Sequence, residues 1–123
     1  MFEATLRPLL SLPGARGVVF CDETGETVQA FGASGRSAPE EADDFELRVT
    51  GAQFATPIDE VIHKARENLG VLREVLLRGT GESLLVHVLP DGYYLILVLS
   101  PEALTGPAFF MLRTVARQVA TEI

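Results

Sequence analysis

The sequence predicts an α+β domain: a single five-stranded antiparallel sheet with helices packed on it. Three observations carry that reading. An apolar, β-branched run at residues 17–21 ends in a tight polar turn and resumes as a second strand. Three further apolar runs between residues 72 and 100 are separated only by short glycine-bearing turns. Two stretches of helical periodicity, one central and one C-terminal, are long enough to cover a sheet. The order is helix, β-hairpin, helix, three-stranded meander, helix. At 123 residues the chain is the size of one domain, and no repeat or low-complexity tail divides residues 1–123.

In chain order, Phe2, Leu6, Leu9 and Leu10 are spaced for a short amphipathic helix, which Pro8 keeps brief or distorted. Leu12-Pro13-Gly14 breaks it. Gly17-Val18-Val19-Phe20-Cys21 reads as a buried strand, Asp22-Glu23-Thr24-Gly25 as the hairpin turn, and Thr27 to Phe31 as the returning strand. Gly32 to Pro39 is a flexible connection, too short to separate domains. Glu40 to Phe54 carries two patterns. Phe45, Val49 and Ala52 are spaced for a helix face, while Phe45, Leu47 and Val49 alternate as a strand would; the acids at its start favour the helix.

Thr56-Pro57-Ile58 resembles a helix start, with Thr56 as N-cap, and Ile58, Val61, Ile62, Ala65 and Leu69 continue as one stripe to Gly70. Pro57 therefore either begins a new helix or kinks a longer one. Leu72 to Arg78, Ser83 to Leu89 and Tyr93 to Ser100 then form the meander, turned at Gly79-Thr80-Gly81 and Pro90-Asp91-Gly92. Leu104 to Ile123 is the last helix, with Phe109, Leu112, Val115, Ala116 and Val119 facing the sheet.

Composition narrows the function. The hydrophobic share is 47% and the mean hydropathy +0.24, high for so short a chain. Either the core is thick or apolar surface is reserved for a partner. A formal charge of −7, with one lysine (Lys64) and nine scattered arginines, argues against nucleic acid and anionic membranes. Cys21 is alone, so no intramolecular disulfide framework exists. The N-terminus carries no secretory signal, and Tyr93 to Leu99 is about a third of a membrane span, so a cytoplasmic location is expected.

No constellation points to catalysis. Cys21 and Ser83 are the available nucleophile candidates near secondary structure, and Cys21 ends a buried strand, where cysteine behaves as a small hydrophobe. His63 and His87 are not spaced as a pair, and a zinc site would need more ligands than the chain provides. Gly79-Thr80-Gly81-Glu82 lacks the ending of a phosphate loop and joins two strands. Glu40, Glu41, Asp43 and Asp44 lack EF-hand spacing. Arg36 is the one arginine with the reach of an arginine finger, although a solubilising loop residue explains it more simply. No catalytic residue, metal or cofactor is expected.

The stretch from Leu12 to Glu26, with its glycine, apolar strand, polar turn and short second strand, resembles the opening hairpin of the Roadblock (dynein light-chain) family. Leu72 to Gly79, followed by Pro90 to Leu99, is similar to that family's closing meander, and the final helix is similar to that of its bacterial and archaeal members. The likeness covers most of the chain except roughly residues 33–55, and Gly51 and Pro57 depart from the usual continuous middle helix. It implies a non-enzymatic platform that pairs with itself or with a related Roadblock subunit, sheets edge to edge and middle helices side by side. Bacterial members commonly regulate small Ras-like GTPases in motility and polarity, while eukaryotic members serve dynein or nutrient-signalling scaffolds.

Two functions are thus carried forward. The first is a dimeric adaptor or regulator of a small Ras-like GTPase. Its contact residues would be Phe45, Val49, Ile58 and Ile62 on the middle helix, with Val75 and Leu77 on an edge strand. The second is a small-molecule sensor or scaffold without a GTPase, its cavity lined by Phe20, Tyr93, Tyr94 and Phe110.

Overall fold

Asp22 organises the first hairpin. It ends strand β1 (Ala15–Asp22), and its Oδ1 accepts from the Thr24 hydroxyl at 2.6 Å, the Thr24 N–H at 2.9 Å and the Glu26 N–H at 3.0 Å. These bonds, the Thr24 hydroxyl foremost, hold its carboxyl below the ordinary carboxylate range. Gly25 completes the turn at φ +89°, and β2 (Thr27–Gly32) returns antiparallel. Phe20 lies opposite Gln29 but Cys21 opposite Thr27, a β-bulge beside the turn. The computed structural model describes residues 2–32 and 40–123, with side chains from residue 45 onward in the second stretch. The expectations placed on Arg36 and on the acids Glu40, Glu41, Asp43 and Asp44 lie outside the described residues and side chains.

The meander forms β3 (Glu74–Arg78), β4 (Ser83–Leu89) and β5 (Tyr93–Leu99). The Gly79 N–H donates to the Glu82 carbonyl at 2.8 Å, so residues 79–82 are a turn, not a phosphate loop. β3 starts two residues later than expected, because Val71 to Arg73 carry the chain from the central helix to the sheet. β5 stops at Leu99, where the Ser100 N–H leaves the ladder to donate to the Gly14 carbonyl. The five strands make one antiparallel sheet in the order β2-β1-β5-β4-β3. β5 lies at its centre, with Tyr94 to Leu99 all buried.

Strand alternation splits the core in two. On one face Val18, Phe20, Leu85, Leu95 and Leu97 meet the N-terminal helical segment and α3 (Thr105–Glu122), through Leu6, Leu9, Ala108, Leu112, Val115, Ala116 and Val119. The N-terminal segment is one α-helical turn, α1 (Glu3–Leu6), followed by a 3-10 turn over Arg7–Ser11, as Pro8 dictates by lacking an N–H. Leu6 and Leu9 are fully buried, which is worth about 1.5–3 kcal/mol for each side chain. Phe109, expected to face the sheet, is half-buried at the margin.

On the other face Val19, Cys21, Leu84, Val86, Tyr94, Ile96 and Val98 meet α2 (Glu40–Leu69) through Leu47, Ala55, Ile58 and Ile62. α2 is one continuous helix of 30 residues, roughly 45 Å long at 1.5 Å per residue. This settles the alternatives left open for residues 40–70. Phe45 to Val49 is not a strand, and Thr56 is not an N-cap, because both lie inside the helix. Pro57 removes one intrahelical hydrogen bond, that to the Gln53 carbonyl. The helix continues through it because Ala55 and Ile58 on either side are both buried against the sheet. The small residue Gly51 lets it come close: a Cβ there would sit 3.1 Å from Val19 Cγ1.

Candidate interaction surface

The inward face of α2 consists of Leu47, Gly51, Ala55, Ile58 and Ile62, spaced four, four, three and four residues apart. What remains apolar on α2 therefore points elsewhere. Phe45, Val49 and Ala52 form a stripe on the side turned from the sheet, with Phe45 67% exposed. Phe54 and Val61, two turns apart, form a second stripe along one flank, Val61 being 51% exposed.

That flank overlooks β3, the last strand of the sheet, which is bonded only to β4 among the described residues. Between helix and strand lies an open groove of about 330 Å³. Thr50, Gln53 and Phe54 form its helix wall; Leu77, Arg78 and Leu84 form its floor and far wall. Its end is closed by the 79–82 turn. There Arg16 donates to the Gly81 carbonyl at 2.8 Å and pairs with Glu82 at 3.4 Å, fixing the turn to β1.

The residues expected at a contact surface separate into three groups. Ile58 and Ile62, 3% and 5% exposed, are core residues that anchor α2, which removes them from any surface. Phe45 and Val49 are exposed, but on the outward stripe, away from the strand edge. Val75 is half-buried against the α2-side core, and Leu77, 39% exposed, lines the groove with Phe54. The structure thus joins Leu77 to Phe54 rather than to Ile58 and Ile62. The signal for this was present: Gly51 and Ala55 are the small residues that allow a helix to approach a strand, and they mark the inward face.

The ligand cavity expected from Phe20, Tyr93, Tyr94 and Phe110 does not form. Phe20 packs on Phe2 and Tyr93, with ring centroids 4.8 and 5.6 Å apart, in the core beneath α3. Tyr94 points to the opposite face, and Phe110 lies on the exposed side of α3. Cys21 is fully buried, and burial pushes its thiol up to about 12, far from a thiolate nucleophile. Ser83 is buried within the ladder opposite Leu99. His63 sits on α2, 3.4 Å from Asp59, while His87 alternates with Leu85 and Leu89 toward α3, on the other side of the sheet. Among the described residues no group of three or more His, Cys, Asp or Glu could hold a metal ion. No helix among them is long and apolar enough to cross a membrane.

No protein-family model matches the chain, and no curated protein matches it. Solved structures do. MglB of Myxococcus xanthus superposes with a TM-score of 0.80 at 12% identity, covering 98% of this chain and 92% of that one. The gliding protein MglB of Thermus thermophilus gives 0.78 at 18% identity, covering 98% and 86%. A Roadblock/LC7 domain from Streptomyces avermitilis gives 0.76 at 16% identity, covering 98% and 95%. The fold is that of Roadblock/LC7 domains, with the sheet and helices in the order expected from the sequence.

Proposed function

We propose that this chain is a non-enzymatic protein-interaction module that pairs through β3 and the adjoining flank of α2, and that the pair regulates or tethers a small Ras-like GTPase. The observation that carries the reading is the juxtaposition of a strand edge unpaired among the described residues with an apolar helix flank, Leu77 facing Phe54 across an open groove. An exposed edge offers a row of backbone donors and acceptors to a second strand. A second copy presenting its own β3 would extend the sheet, and the two Phe54–Val61 flanks would then close over the groove. The same residues meet themselves across such an axis, as a two-fold interface requires. The GTPase assignment rests on the resemblance in sequence and on the shared fold with MglB proteins, one of which is described as a gliding protein.

The test is the mass in solution by light scattering over a concentration series, followed by pull-down of GDP- and GTP-loaded Ras-like GTPases. A dimer that Leu77→Asp converts to monomer, and that retains a GTPase in one nucleotide state, is the expected result. A wild-type protein that stays monomeric at high concentration and retains no GTPase would sink the reading.

A further inference from the structure

On the α3 side of the sheet, Arg73, Glu74, His87, Arg113 and Arg117 line a polar pocket of about 410 Å³. Three stretches of sequence build it. Glu74 on β3 and His87 on β4 are direct cross-strand partners. Arg113 and Arg117 stand one turn apart on α3, so their side chains leave the same helix face. Arg73 precedes β3, its carbonyl held by the Val88 N–H at 2.8 Å.

The charges in this pocket are only partly satisfied. Arg113 grips Glu74 through three hydrogen bonds: Nε to Oε1 at 3.0 Å and to Oε2 at 3.1 Å, and Nη2 to Oε1 at 2.8 Å. Arg73 and Arg117 make no ion pair among the described residues. The Nδ1 atom of His87 is buried without a hydrogen-bond partner. Three guanidinium groups against one carboxylate leave the pocket with a charge of +2, in a chain whose net charge is −7. A third of the chain's nine arginines are concentrated here.

We propose that this pocket binds the dianionic phosphate group of a small phosphate monoester, held by Arg73 and Arg117, with Arg113 shared between the phosphate and Glu74. A dianion neutralises the charge of +2, whereas a carboxylate would leave half of it. The planar, always-charged guanidinium forks match phosphate oxygens two at a time. The volume exceeds that of a phosphate group, leaving room for the group esterified to it. Glu74 occupies one side of Arg113 as an internal counter-ion, so it competes with the ligand. The unpartnered Nδ1 of His87 is a further group the ligand would meet or approach.

The experiment is a titration of the full chain with inorganic phosphate and with phosphoserine, at constant ionic strength in chloride, read by NMR of the His87 ring protons. A saturable shift is expected from at least one probe. Equal affinity for the two means that the phosphate group alone is held, and tighter phosphoserine binding means that the esterified group also enters the pocket. In the free protein His87 is pushed below the ordinary imidazole value, chiefly by burial; Arg113 and Arg117 add to this and Glu74 opposes it. A bound dianion joins Glu74, so the His87 midpoint should rise on saturation.

Arg117→Gln should weaken binding by about tenfold or more, the loss of one charge-assisted contact, and Arg73→Gln should do the same. Glu74→Gln should tighten it. Arg66→Gln, the same loss of charge in the last turn of α2, should leave binding unchanged. Absence of a saturable shift with either probe, or equal weakening by Arg66→Gln and Arg117→Gln, would overturn the proposal.

Discussion

The Tyr94 hydroxyl donates to Asp59 Oδ1 at 2.5 Å, joining the central strand β5 to α2. The other oxygen of the same carboxylate lies 3.4 Å from His63 Nε2, one helical turn along. Burial and the Asp59 bond both raise the Tyr94 hydroxyl above the ordinary phenol value, burial the more. Tyr94→Phe keeps the ring in the core and removes only the donor. Asp59 keeps His63 as a neighbour, so the loss should be about 1–2 kcal/mol. Urea unfolding should show a lower midpoint at unchanged slope; an unchanged midpoint would mean that this bond does not help to hold α2 on the sheet.

Val61 and Ile62 are sequence neighbours with opposite fates, and a matched pair of substitutions separates them. Ile62→Asp puts a carboxylate into the apolar core between α2 and the sheet, and should cost several kcal/mol, on the order of 3 or more. Val61→Asp changes a residue on the exposed flank and should alter stability by about 0.5 kcal/mol or less. If the flank is the self-association surface, Val61→Asp should nonetheless shift the light-scattering mass toward monomer. Thermal melts and mass together decide it: a Val61→Asp protein that melts normally and still dimerises would move the interface elsewhere.

How far such details could be read from residues alone differs by element. The first hairpin was legible because Asp22 and Gly25 can do only what that turn requires, and the meander because two glycine-bearing turns punctuate three apolar runs. α3 was legible because Ala108, Leu112, Val115, Ala116 and Val119 recur at helical spacing on one buried face, although Phe110 lies on the other. α2 was not, for a physical reason. It carries apolar residues on its inward face, on one flank and on its outward side, so helical periodicity alone does not choose which face is buried. The same ambiguity made Thr56-Pro57 look like a helix start, although burial of Ala55 and Ile58 carries the helix through the proline. The arginine pocket escaped because Arg73, Glu74, His87, Arg113 and Arg117 come from three separate stretches of chain that only the sheet and α3 bring together.

The alkaline limit of stability should be set on the α2 side of the core. Cys21 is raised from 9.0 to about 12 by burial, with Asp22 adding to it, and Tyr94 is raised as well. Both groups hold their protons more tightly in the folded chain than in the unfolded one. Their contribution is therefore fully present below about pH 9 and is lost as pH rises from there toward 12. Unfolding free energy measured from pH 8 to 11 should fall, and Cys21→Ala should flatten part of that fall. A thiol reagent at pH 8 should leave the native protein untouched and modify it at once in denaturant.

Gly25 and Gly70 both take positive φ, +89° and +78°, but only one of them is crowded. Nothing lies within 4 Å of a Cβ built on Gly70, so Gly70→Ala bears backbone strain alone, about 1 kcal/mol. A Cβ on Gly25 would stand 2.7 Å from Ala52 Cα and 3.2 Å from the Gly51 carbonyl oxygen, both backbone atoms that cannot swing aside. Gly25→Ala must therefore also push the hairpin turn away from α2, loosening the close contact of Gly51 with Val19. It should cost clearly more than Gly70→Ala, on the order of 2–3 kcal/mol. Thermal midpoints of the two variants provide the comparison. Equal losses would show that the turn yields freely and that its contact with α2 does not hold the helix in place.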